Sequence, residues 1–467
     1  MREGVKLGFT TLDREISFEI LNIKGELPQW LTGVYIRNGP AKFEAGGEKY
    51  RHWFDGLAML IRFSFKDHKI YFSNRFLQSK AFKKAVKTKH IYYSEFATNP
   101  TSTLRCQYLK YTSQLTDNAS VNVFKVGDHF VAMTETPDRV AFDPYSLETL
   151  GTFHYDGKIW GHLTTAHPHI TEEGEIYNYI TRFSLTSTYN IFRIGARGKK
   201  REMITSIPVK EPSYMHSIGM TENYIILAEY PLVIQPLKLL ASNKPFVDNL
   251  YWRPDRGTKF TVVDKRNGSI VGRYEAEAFF AFHHINAYEE GDKICVDLVA
   301  YRDASLASSL YLKDLINPDF VLPVPEVRRY YLPRGGTGLP QFEVISEQFP
   351  EFPRINYSKK NTRPYRFVYG VNAYQSKGFN NSLVKLDVVD RGLARWFEEN
   401  CYPGEPMFIP RPDGTEEDDG VVLSVVLDTA KNKSYLLILD ARSFEERARA
   451  EMPYPIPFGS HGQYFEF

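Results

Sequence analysis

Cysteine is scarce in this 467-residue chain, with Cys106, Cys295 and Cys401 widely spaced and odd in number. Such a set offers no disulfide framework and fits a reducing compartment. Long apolar runs are missing as well. None approaches the roughly 18 residues that a membrane-spanning helix needs. The first residues, MREGVKLGFTTLDREI, carry acids early and hold no apolar core, so no secretory signal is expected. A surplus of either charge is also absent, the formal net charge being +2, and no nucleic-acid partner is implied. Basic clusters at 80–89 (KAFKKAVKTK) and 197–201 (RGKKR) read as solvated surface. Helical periodicity is poor and is expected only in parts of 232–240 and at 392–398. These absences together describe a soluble cytoplasmic chain.

Aromatic side chains, by contrast, make up 15% of the residues, a composition that suits strands and can line an apolar cavity. Short β-type runs recur along the whole length, among them GVYIRNG, SVNVFKVGDHFVAMTE, KICVDLVAY and GVVLSVVLDTAKNKSYLLILDA. Polar or glycine-containing loops such as 264–269 (DKRNGS) and 428–434 (DTAKNKS) turn them into hairpins. Many strands without βαβ alternation predict an all-β closed or radial architecture, and a β-propeller suits this length best. No crisp repeat sets the number of blades. Nothing in the composition divides the chain, so residues 1–467 are expected to form one domain.

Four of the twelve histidines stand in strand-like segments far apart in sequence: His167 in TAHPH, His216 in PSYMHSIG, His283 in AFHHINAY and His461 in FGSHGQY. Neutral imidazole is a common ligand for iron, copper and zinc, so a dispersed set of this kind can serve one ion, although spacing alone does not bring it together. Alternation along a strand lets only one of His283 and His284 face a shared axis, while His167 and His169 fall on the same side. Glutamates in otherwise apolar or turn segments are a second feature: Glu135 in AMTETP, Glu351 in FPEFPRINY and Glu405 in YPGEPMF. A carboxylate that accepts the outer N–H of a metal-bound imidazole fixes its ring and raises its basicity. The acidic run 416–419 reads simply as a loop entering a buried strand.

Taken in order, GVYIRNGP (33–40), HWFDGLAML (52–60), TDNASVNV (116–123), TETP (134–137), TAHPH, PSYMHSIGMTENYIILAEYP, FHHINAYEE, FPRINY, GEPMFIPRP, EEDDGVVLSVVLD and FGSHGQY resemble the carotenoid cleavage oxygenases over essentially the whole chain. That family includes the animal β-carotene oxygenases and the retinoid isomerohydrolase of the visual cycle. The resemblance implies a seven-bladed propeller with a ferrous ion on its axis, and loops and short helices capping an apolar tunnel. It implies that His167, His216, His283 and His461 are the iron ligands, that Glu135, Glu351 and Glu405 support them, and that Thr134 plays a part beside the open positions. His52, His68, His90, His129, His154, His162 and His169 keep structural or surface roles.

The activity so implied is oxidative cleavage of a carotenoid double bond with dioxygen, central (15,15') cleavage of β-carotene to retinal being the leading reading. Eccentric cleavage, cleavage of apocarotenoids or stilbene-like compounds, and a non-catalytic carotenoid or retinoid binder are the alternatives. The PDPCK-type loop of the visual-cycle members is missing from 99–113 (NPTSTLRCQYLKYTS), so no lipid-anchoring role passes to Cys106 and an isomerase reading is weakened. Apolar residues in 230–252, together with Lys238 and Lys244, suggest reversible attachment to a membrane surface around the tunnel mouth.

Overall fold

The computed structural model describes residues 3–112, 114–317, 319–336, 339–347, 351–375 and 378–466. Seven antiparallel sheets of four to six strands follow one another along the chain as the blades of a propeller. Blades 2 to 6 are each built from consecutive hairpins, beginning at Asn122–Val126, Leu163–Thr164, Gly219–Met220, His284–Glu290 and Glu351–Arg354. These first strands are the innermost ones, and several of them touch their counterparts in the neighbouring blade.

Two exchanges of terminal strands close the ring. Gly462–Phe465 becomes the inner edge of blade 1, pairing antiparallel with Gly33–Lys42 so that Arg37 faces Gly462. Asn22–Gly25 completes the outer edge of blade 7 against Glu446–Glu451. One element from each end of the chain therefore locks the circle, and His461 stands immediately before the closing strand.

Each blade is sandwiched between two others, so both faces of its central strands are apolar. In Gly420–Asp428, Val421, Leu423 and Val425 pack towards blade 1, whereas Val422 and Val426 pack towards blade 6. Burial of each such side chain is worth about 1.5–3 kcal/mol. This is why GVVLSVVLD reads as continuous apolar sequence, and it enters the core directly after the acidic loop, as expected.

Of the two helical expectations, one fails and the other holds in part. Residues 392–398 contain the edge strand Leu393–Phe397, paired with Ser382–Asp387, because completing blade 6 outweighs a weak local periodicity. The stretch 232–240 splits into a buried strand, Leu232–Ile234, and a short helix whose first turn Pro236 starts, Pro236–Ala241. The basic cluster at 80–89 is largely a helix, Lys80–Thr88 (α1), capped by Ser79 and by Asp117, which accepts hydrogen bonds from the N–H groups of Lys80 and Ala81. Its lysines are displayed to solvent by an inner face of Ala81, Phe82 and Ala85. Residues Thr103–Tyr111 form a second helix (α2), which buries Cys106. All three cysteines are free and buried. Among the described residues no helix is long and apolar enough to cross a membrane.

Candidate metal centre

Each of the seven blades delivers one of the seven residues singled out in the sequence. His461, His167, His216 and His283 come from blades 1, 3, 4 and 5, and Glu135, Glu351 and Glu405 from blades 2, 6 and 7. Six of them sit on, or directly beside, innermost strands; Glu135 follows the second strand of blade 2, His129–Met133, and its carbonyl accepts from the Thr164 amide in the innermost strand of blade 3.

One nitrogen of each histidine lies within 4.8 Å of the others. The Nε2 atoms of His167 and His216 are 3.1 Å apart, and those of His283 and His461 are 3.4 Å apart. His216, His283 and His461 turn Nδ1 outward to Glu135 (2.7 Å), Glu351 (2.6 Å) and Glu405 (2.6 Å). A carboxylate can only accept, so each Nδ1 donates and each Nε2 is left with its lone pair facing the axis.

The carboxylates are fixed in turn. Tyr214 donates its hydroxyl to Glu135 and Tyr301 donates to Glu351, whereas Glu405 accepts from Arg354 Nε at 2.9 Å and from the Gly462 amide. Burial works to raise the Glu405 carboxyl, but Arg354 and His461 outweigh it and hold it near 2. Burial likewise opposes ionisation of Glu351, and His283 and Tyr301 bring that carboxyl below its ordinary value. Burial drives His167 well below the usual imidazole range, with the other three rings adding to it, and brings His461 down to about 4 despite Glu405. His167 and His461 are therefore neutral at pH 7, as metal ligands must be.

This donor set fits a divalent cation. Inward lone pairs at such separations repel one another unless positive charge lies among them. Two ligands in adjacent positions, each about 2.1 Å from a metal, sit roughly 3.0 Å apart, close to the spacing seen here. Three carboxylates balance Arg354 and one divalent ion in charge. Another acid–thiol group, Glu398, Cys401 and Asp428, is already neutralised by Arg449 and Lys431.

Alternation holds at His283 and His284: the latter turns away to Ser217 Oγ at 2.8 Å. His169, which alternation left beside His167, bonds instead to the Ile218 carbonyl and the Tyr357 hydroxyl, outside the cluster. Thr134 lines the cavity next to Glu135, and its carbonyl accepts from Arg139. Tyr214, Tyr301 and Arg354 went unassigned in the sequence, although Tyr214 stands two residues before His216 and Arg354 three after Glu351.

Gly39 explains part of GVYIRNGP. A Cβ there would meet Gly459 Cα at 2.4 Å, in the irregular segment that carries His461 into the closing strand. Gly39→Ala is expected to destabilise the fold by about 1–3 kcal/mol through overpacking. It should also lower metal occupancy although Gly39 is not a ligand; thermal unfolding and metal analysis of the purified variant check both effects.

A mostly apolar cavity of about 540 Å³ opens from the cluster, within the roughly 300–1,000 Å³ of small-molecule sites. Phe282 packs on His216 (ring centroids 5.0 Å apart) and Phe352 on His461 (5.1 Å). Connections between strands, including α2 and Pro236–Ala241, supply its outer walls.

Residues 9–466 match the family model described as retinal pigment epithelial membrane protein. Beta,beta-carotene 15,15'-dioxygenase of Gallus gallus is 33% identical in a match covering 95% of this chain and 94% of the relative. The chloroplastic carotenoid cleavage dioxygenase 8 of Arabidopsis thaliana is also 33% identical, over 98% of this chain and 85% of its own. In structure, a cobalt-substituted Synechocystis ACO superposes with a TM-score of 0.88 at 24% identity, covering 100% of this chain and 99% of that one, a likeness of fold.

Proposed function

We propose, since the chain belongs to the carotenoid cleavage oxygenase family, that it holds a ferrous ion on His167, His216, His283 and His461 and cleaves a carotenoid double bond with dioxygen. The class of enzyme is a carotenoid cleavage dioxygenase. The observation that carries the finer reading is the meeting of four inward imidazoles with an aromatic-walled cavity. Iron bound there would supply the binding and activation of dioxygen. The chain's own residues do the remainder. Glu135, Glu351 and Glu405 fix three rings and temper the charge without taking coordination positions. Phe282 and Phe352, together with Trp53 and Phe54, exclude water and hold a polyene against the cluster. Thr134 borders the same space and is assigned a supporting role there.

Central 15,15' cleavage of β-carotene is the proposed outcome, supported by the Gallus gallus relative's coverage of nearly the whole chain. The Arabidopsis thaliana relative is equally similar, so overall identity does not separate cleavage positions. Incubation of the iron-loaded protein with β-carotene and chromatography of the products tests the choice. Retinal as sole product is expected; fragments of unequal length would replace central by eccentric cleavage.

Part of the cavity rim is exposed and apolar: Leu185 is 84% exposed, Leu237 65%, Leu240 64% and Val324 72%. We assign this rim to reversible contact with a membrane surface, through which a water-insoluble substrate enters. The expected patch at 230–252 is narrower than its sequence suggests. Tyr230, Leu232, Val233 and Ile234 are buried, and Leu239 is half-buried against the core. Leu237 and Leu240 are the residues that face out. Their joint replacement by serine is expected to weaken liposome sedimentation several-fold with metal content unchanged; undiminished sedimentation would place the contact elsewhere.

A further inference from the structure

Blade 6 begins with a strand that does not run regularly. In Glu351–Arg354, Glu351 lies opposite Val371 and Arg354 opposite Tyr369, so three steps of one strand match two of the other. The extra residue makes a β-bulge. Phe352 within it has φ = 56°, in the left-handed region, which a bulky side chain adopts only where its surroundings hold it there. Residues three apart in a regular strand face opposite sides. The bulge resets that alternation, and Glu351 and Arg354 both reach the metal centre. One short segment thereby serves two histidines from different blades. Glu351 holds His283, Arg354 holds the carboxylate partner of His461, and the Phe352 ring lies against both imidazoles, its centroid 5.7 and 5.1 Å from theirs.

Arg354 closes a circuit of hydrogen bonds around His461. Its Nε donates to Glu405 Oε1 at 2.9 Å and its Nη2 to the Gly462 carbonyl at 2.7 Å. The Gly462 amide donates in turn to Glu405 Oε2 at 2.9 Å, and His461 Nδ1 to Glu405 Oε1 at 2.6 Å. The guanidinium therefore fixes both groups that direct the ring: the carboxylate that receives its N–H, and the peptide that follows it in the chain. Glu135 and Glu351 are held instead by the hydroxyls of Tyr214 and Tyr301. Two donors at a fixed spacing belong to a guanidinium, whereas an ammonium is a single point charge.

We propose that Arg354 is a positioning residue of the metal centre, which aims the His461 imidazole by holding Glu405 and the Gly462 peptide in one geometry, and that the bulge at Phe352 brings it there. The proposal rests on the reading of the four histidines as metal ligands. Arg354 then couples closure of the ring, at Gly462, to the geometry of the centre.

The test uses the full chain loaded with cobalt(II), whose visible absorption reports ligand geometry, and a competing chelator to obtain the affinity. Arg354→Met is expected to weaken cobalt binding about 10- to 100-fold and to move the visible bands. Arg354→Lys keeps the charge without the paired donors. Its metal-free form is expected to unfold at the wild-type temperature, yet to bind cobalt about tenfold more weakly and with the bands moved. In a Glu405→Gln background Arg354→Met should add little further loss, because both act through one imidazole. A side chain that merely holds blades together would lower the unfolding temperature of both metal-free variants and leave the cobalt spectrum unmoved, and that result would overturn the proposal. So would unchanged spectrum and affinity in Arg354→Lys, which decides alone if Arg354→Met does not fold. Wild-type protein that takes up no cobalt would overturn the metal centre itself, so the two failures are distinguishable.

Discussion

Alanine at His461 is expected to leave a folded protein that retains no metal and cleaves no substrate, and the same holds for His167, His216 and His283. A protein-bound divalent ion gains roughly 10–16 kcal/mol from a four-ligand site, so one ligand carries about 3 kcal/mol, or 10²–10³ in affinity. The loss at His461 is aggravated because Glu405 then faces a vacated position while still tied to Arg354 and Gly462. Metal analysis after dialysis, together with turnover, gives the answer. Full metal content in any one of the four variants would remove that histidine from the ligand set.

The outer carboxylates should rank rather than act alike. Glu405→Gln is expected to lower metal affinity by about 100-fold and Glu351→Gln by about tenfold. Both amides keep the size of the side chain and lose its charge. At Glu405 the substitution also deprives Arg354 of its counter-ion in a site where the carboxylate side chain is 1% exposed. At Glu351 the other partner is the neutral hydroxyl of Tyr301, which can accept a hydrogen bond from an amide. Equal losses in the two variants would show that Arg354 plays no part in holding the centre.

Much of this was legible in the chain itself. Period-two patterning and turn chemistry are local, so they disclosed an all-β molecule and the hairpins around 264–269 and 428–434. Alternation also separated His283 from His284 without any knowledge of the fold. Propensity was a poorer guide where pairing competed with it, as at Leu393–Phe397, which blade 6 draws into its edge. Exposure within 230–252 was similarly misread, because hydropathy does not tell Leu239 from Leu240 when one turn of helix points them in different directions.

By itself, the sequence determined the kinds of side chain available: four histidines beside turns, three glutamates in apolar surroundings, and strands apolar on both faces. Only the tertiary structure decided that one of these residues comes from each of seven blades, and that His167 joins the cluster while His169 does not. The reason is that strand periodicity acts over a few residues, whereas His283 and His461 stand 178 residues apart and meet because the last strand closes the ring on the first blade.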